Sequence, residues 1–147
     1  GRSFSDFASL RSDQVRHPAG IPMFKPPYSH ITAIDMNTGE HLWQLPIGET
    51  PDRYKDNPAV EGIDIGETGN GRNAQMLVTK TMFVYTSLLA DETPALFFVD
   101  KQTGEQIGSV EIPGRNGYGL SSYVHDGKQY IMLQTGPKLT AMSLGDF

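Results

Sequence analysis

Ile31-Thr32-Ala33-Ile34-Asp35-Met36-Asn37-Thr38-Gly39-Glu40-His41-Leu42-Trp43 decides the fold, because it returns as Leu96-Phe97-Phe98-Val99-Asp100-Lys101-Gln102-Thr103-Gly104-Glu105-Gln106-Ile107-Gly108. Each copy reads as an apolar strand, an Asp, two residues, Thr-Gly-Glu, and a second strand. The Asp carboxylate is placed to accept hydrogen bonds from turn N–H groups two residues on. Gly39 and Gly104 supply the positive φ that the turn requires. The following strand therefore returns antiparallel. A third stretch, Leu139-Thr140-Ala141-Met142-Ser143-Leu144-Gly145, echoes the strand and then breaks off. Each copy also follows an apolar run: Ile21–Phe24, Met82–Tyr85 and Tyr130–Leu133.

Outward from the repeat, short apolar or β-branched runs continue along the chain. They are Ile31–Asp35, Leu42–Leu45, Met76–Thr79, Met82–Thr86, Ala95–Asp100, Gln106–Ile112, Ser121–Val124, Gln129–Gln134 and Lys138–Ser143. Thr79-Lys80-Thr81 and Asp126-Gly127 add turn chemistry between them. Many short strands with close turns predict an all-β, antiparallel fold. One short helix is expected over Phe4–Val15, where Phe4, Phe7 and Leu10 share helical spacing and the His17-Pro18 step ends it. Ile47–Asn73 carries Pro51, Pro58 and several carboxylates and reads as a long connection, of the kind that is usually functional or buttressing. Within it Asp52-Arg53-Tyr54-Lys55-Asp56 reads as a solvated loop face.

Composition sets the outer bounds. The 147 residues suffice for one ordinary domain. A 37% hydrophobic content excludes a disordered chain, and 16 Gly with 10 Pro mark it as rich in turns. No apolar run reaches the roughly 18 residues of a membrane helix. A net charge of −5 argues against a nucleic-acid partner or an anionic lipid surface. Without cysteine there are no disulfides and no thiolate metal sites. The stretch starts at Gly1 without a basic-plus-apolar leader, so a signal peptide, if the gene has one, is expected outside it.

Ala33-x-Asp35-x-x-Thr38-Gly39-Glu40-x-x-Trp43 resembles the tryptophan-docking motif of the pyrroloquinoline-quinone (PQQ) dehydrogenase propellers. Met23-Phe24-Lys25-Pro26-Pro27-Tyr28-Ser29-His30-Ile31-Thr32-Ala33-Ile34-Asp35, Leu77-Val78-Thr79-Lys80-Thr81-Met82-Phe83 and Asp126-Gly127-Lys128-Gln129-Tyr130-Ile131 resemble the C-terminal part of the membrane-type glucose dehydrogenase branch. Family members are eight-bladed propellers of several hundred residues. The resemblance implies a propeller fragment of about two to three four-stranded blades. Residues 1–20 would be a lead-in segment, 21–46 an outer half-blade and 47–74 a long loop. Residues 75–112 would be a complete blade, and 113–147 a last blade without its outer strand. At the second repeat Phe98 stands at the motif's Ala position and Gly108 at its Trp position. That exchange reads as compensation of volume, or as a degenerate blade.

Family catalysis uses PQQ, a calcium ion and an Asp general base, and the resemblance implies that the base and the calcium ligands lie in earlier blades. Asp35 and Asp100 are motif residues rather than catalysts, and the catalytic residues are left unassigned. The cofactor would be approached by two lead-in loops, Gly69-Asn70-Gly71-Arg72-Asn73-Ala74-Gln75 and Gly114-Arg115-Asn116-Gly117-Tyr118-Gly119. In them Arg72, Asn73, Arg115 and Asn116 are the candidate cofactor-binding residues, since guanidinium and amide groups suit carboxylate and quinone oxygens. Exposed turns with glycine-permitted geometry are the plain alternative. Trp43, the sole tryptophan, is expected to be a packing wedge with its N–H on a backbone carbonyl. His17, His30, His41 and His125 have no metal-ligand spacing. There is no nucleophile elbow, phosphate-binding loop or EF-hand loop. The implied partners are the remaining blades, a sugar or alcohol substrate and a quinone acceptor. The implied location is the periplasm, with any membrane anchor in a region outside this stretch. Two alternatives stand beside this reading: a non-catalytic propeller scaffold of the outer-membrane assembly type, and a stand-alone β-domain.

Overall fold

A computed structural model describes residues 18–143. The Phe4–Val15 helix expectation lies outside the described residues. The described part is antiparallel β, with strands β1 (His30–Ile34), β2 (His41–Pro46), β3 (Met76–Val78), β4 (Met82–Leu88), β5 (Pro94–Asp100), β6 (Gln106–Glu111), β7 (Asn116–His125), β8 (Lys128–Thr135) and β9 (Lys138–Ser143). They form three up-and-down sheets: β1-β2, then β3-β4-β5-β6, then β7-β8-β9. This is the propeller-fragment architecture that the repeat implies.

The middle sheet explains the near-continuous apolar runs of β4 and β5. Successive side chains point to opposite faces, and both faces are covered. Phe83, Tyr85, Ala95, Phe97 and Val99 face the first sheet and pack with Ile31 and Ile47. Val84 and Leu96 face the last sheet and pack with Ile131 and Leu133. On the first face Trp43, Phe83, Tyr85 and Phe97 form a row of ring contacts, with centroids 6.2, 5.7 and 5.0 Å apart. Burial pushes the Tyr85 hydroxyl up to about 12.

The two full repeats build the same turn. Asp35 Oδ1 accepts from Asn37 N–H at 2.7 Å, and Asp100 Oδ1 accepts from Gln102 N–H at 2.8 Å. Gly39 and Gly104 both have φ of 77°. Ala33 pairs with Trp43, and Phe98 pairs with Gly108, each just before a break in register. The Trp43 indole N–H donates to Lys101 O at 3.0 Å, which is the backbone-carbonyl bond expected of it. Its ring lies on Gly104, so close that a Cβ there would sit 2.7 Å from the indole carbons.

Two readings need correction, and two further stretches gain detail. The apolar run Ile21–Phe24, which is not among the expected strands, has only an isolated bridge at Pro22, a residue without an N–H to extend a ladder. The last sheet's first strand begins at Asn116 rather than Ser121, since an irregularity between Asn116 and Leu120 carries the glycine-rich stretch into the pairing. The long connection Ile47–Asn73 contains a helical turn, α1 (Asp52–Lys55), and a 3-10 turn at Pro58–Val60. Tyr54 is buried rather than solvated, its ring edge-on to Tyr28 at 5.5 Å, while Asp52, Arg53, Lys55 and Asp56 stay exposed.

Candidate functional site

Strand β3 lies beside β7, with Leu77 and Leu120 both packed on the second core. The two lead-in loops are therefore neighbours. Arg72 and Asn73 from one loop and Arg115 and Asn116 from the other line a single open cleft of about 240 Å³. Thr86, Ser87, Leu88 and Ile112 complete it. All four residues singled out in the sequence are brought together.

They are not equivalent. The Asn116 side chain is committed to its own turn: Oδ1 accepts from Tyr118 N–H at 3.1 Å and Nδ2 donates to Gly119 O at 2.7 Å. It shapes the loop that carries Arg115. Arg72 is set by a residue that the sequence reading passed over. Asn70 is 3% exposed. Its Oδ1 accepts from Arg72 N–H at 3.0 Å, and its Nδ2 donates to Ser87 Oγ at 2.6 Å. Its own N–H donates to Ile47 O at 3.0 Å. This buried amide ties the long connection to β4 and fixes where the Arg72 backbone starts.

The second missed residue is Glu92, on the β4–β5 connection with φ of 68°. It pairs with Arg53, and its Oε1 lies 4.0 Å from Arg72 Nη2. The guanidinium of Arg53 above all, with Arg72 and Arg115 behind it, holds the Glu92 carboxyl below the usual carboxylate range. One carboxylate thus faces three guanidiniums. Such a set retains a surplus of positive charge and presents paired N–H donors, which suits carboxylate groups of a ligand. Leu88 and Ile112 are buried and give the cleft an apolar wall. Among the described residues no three His, Asp or Glu side chains gather in a way that could hold a metal ion, and no helix is long and apolar enough to cross a membrane.

Comparison with known proteins decides the family. The family described as PQQ glucose/ethanol/alcohol dehydrogenase, beta-propeller domain, matches residues 2–131. The chain belongs to this PQQ dehydrogenase family. The glycerol dehydrogenase large subunit of Gluconobacter oxydans (strain 621H) is 31% identical over 121 residues, which are 80% of this chain and 15% of that protein. The quinate/shikimate dehydrogenase (quinone) of Acinetobacter baylyi (strain ATCC 33305 / BD413 / ADP1) is 28% identical over 134 residues, 87% of this chain and 16% of that protein. Quinoprotein glucose dehydrogenase A of Acinetobacter calcoaceticus is 23% identical over 119 residues, 81% of this chain and 14% of that protein. The chain therefore spans about one seventh of the length of these PQQ-family relatives. No solved structure matches it.

Two of the residues that sequence reading missed in this PQQ-family propeller piece left unequal signals. Asn70 stands between two glycines, Gly69 and Gly71, both at positive φ. An amide flanked by glycines is a sequence hint of a tight polar junction. Glu92 left none, since its importance comes from arginines 20 to 39 positions away.

Proposed function

We propose that this chain is the C-terminal part of a quinoprotein dehydrogenase of the membrane-type glucose dehydrogenase branch. The whole enzyme oxidises a sugar or alcohol hydroxyl in the periplasm and passes electrons to a quinone acceptor. The observation that carries this is the convergence of Arg72, Asn73 and Arg115 on one cleft from the loops that lead into two adjacent inner strands. That donor set fits PQQ, a ring with several carboxylates and quinone oxygens.

When bound, PQQ supplies the group that accepts the hydride. Arg72 and Arg115 hold carboxylates through paired N–H donors, and Asn73 offers an amide N–H to a neighbouring oxygen. Asn116 and Asn70 hold the two loops in place, and Leu88 with Ile112 excludes water from one side of the cleft. The catalytic base and the calcium ligands belong to earlier blades, so the piece alone is inactive. The test is PQQ titration of the full-length protein carrying Arg72→Ala or Arg115→Ala. Each substitution is expected to weaken cofactor affinity about tenfold or more, the weight of a charged hydrogen bond. Unchanged affinity in both would remove this cleft from the cofactor site.

A further inference from the structure

Behind the cofactor cleft, and sharing only Arg72 with it, lies a larger one of about 470 Å³. It opens between the Pro22–Tyr28 segment, helical turn α1 and the Asn70–Arg72 turn. We propose that this second cleft is a ligand site of its own, which takes a small carboxylate carried on a ring. The proposal goes beyond the PQQ reading and does not depend on it.

The walls supply the ring contacts. Tyr28 and Tyr54, which both line the cleft, meet edge-on at 5.5 Å. Phe24 stands at the rim, 80% exposed. The volume lies within the span of small-molecule sites.

The charge comes from Lys25, Arg53 and Arg72, all lining the cleft. The Arg53 guanidinium is held 4.8 Å above the centre of the Tyr54 ring. Its Nη2 also donates to the Tyr54 hydroxyl at 3.4 Å. Glu92 is the counter-ion of Arg53 and reaches Arg72 at 4.0 Å. One carboxylate against three cations leaves a local surplus of about two positive charges at neutral pH, in a chain whose net charge is −5. A flat guanidinium fixed on an aromatic face selects a planar, two-oxygen anion over a neutral hydroxyl.

The cleft is also pre-formed. Tyr28 N–H donates to Thr68 O at 2.8 Å, Gly71 N–H to Ser29 Oγ at 3.1 Å and Arg72 N–H to Asn70 Oδ1 at 3.0 Å. Rigid walls reduce the ordering cost of binding.

The experiment titrates the full-length protein, with and without PQQ, with benzoate and with benzyl alcohol as its neutral counterpart of similar shape. Benzoate is expected to bind about tenfold or more tightly than benzyl alcohol, and to weaken as salt is raised. Arg53→Gln, in protein shown folded by its melting curve, is expected to remove that preference and leave benzyl alcohol unchanged. Lys25→Gln, at an exposed position, is expected to reduce it in part and serves if Arg53→Gln does not fold. Equal binding of the two probes, or benzoate affinity untouched by these variants, overturns the proposal. Because Arg72 is shared, stoichiometric PQQ is expected to weaken benzoate only in part; its complete displacement also overturns the proposal, because the two clefts would then be one site. Failure of PQQ to bind at all would sink the cofactor reading and leave the benzoate result standing.

Discussion

The hairpins at Asp35–Glu40 and Asp100–Glu105 share the same turn, with Asp100 accepting one further bond from Thr103 N–H, yet their surroundings are opposite. In the first, the large side chain is on the returning strand: Trp43 pairs with Ala33 and reaches across to Gly104 of the second hairpin. In the second, it is on the outgoing strand: Phe98 pairs with Gly108 and packs toward the last sheet. Around Gly39 a Cβ would meet nothing within 4 Å, whereas at Gly104 it would strike the indole. The turn is local chemistry, a carboxylate capping N–H groups and a glycine at positive φ. What lies above it is set by the neighbouring sheet. The same residue type is needed once for its backbone at Gly39, and for both backbone and empty space at Gly104.

Four substitutions test this contrast. Trp43→Ala is expected to have the largest effect, because it removes the ring row's first member and opens a cavity between two sheets; the loss is about 3 kcal/mol or more in urea unfolding. The folded fraction of the intact protein should keep its PQQ affinity. If Trp43→Ala melted like the parent but lost PQQ, Trp43 would be a cofactor residue instead of a wedge.

Next come the paired glycine variants. Gly39→Ala carries only the left-handed backbone penalty of about 1–2 kcal/mol. Gly104→Ala adds overpacking against Trp43, a further 1–3 kcal/mol or so. Equal midpoints for the two would break the claim that Gly104 is needed for space.

The smallest effect concerns pH. The backbone N–H groups of Thr103 and Gln102 hold the Asp100 carboxyl below its ordinary value. A depressed value in the folded state means a stabilisation present above the ordinary aspartate range and lost as pH falls through the folded-state value. Asp100→Asn keeps an acceptor oxygen but does not titrate. The variant should melt slightly below the parent at pH 7, and the difference should shrink below about pH 4, where the parent's carboxylate is neutralised and the two converge. An unchanged acid limb would show that the turn bonds do not feel the charge.

Much of the fold was legible because its signals are short-range. Strand alternation, the Asp–Thr-Gly-Glu turns and Asp126-Gly127, whose φ values are 48° and 76°, each act within a few residues. The misreadings fell where local signals mislead. The glycine-rich Asn116–Leu120 stretch looks like a loop, yet it is drawn into the pairing with β8. The Asp52–Asp56 run is polar enough for solvent, yet Tyr54 finds Tyr28 from another part of the chain. Half of the candidate site was legible in the same way, as two Arg-Asn pairs at the mouths of strands.

By itself the sequence determined the all-β class, the hairpin turns and the membership of a propeller repeat, since these follow from side-chain period and φ preference along the chain. The tertiary structure alone decided that Arg72 and Arg115 share a cleft, that Glu92 sits among three guanidiniums, and that Asn116 serves its own turn. It also decided that Gly104 must stay bare beneath Trp43. Those outcomes depend on contacts between residues that are mostly tens of positions apart, or on which hydrogen bonds remain open once the loop has closed. Neither property is carried by local order along the chain, because packing sums over all neighbours in space at once.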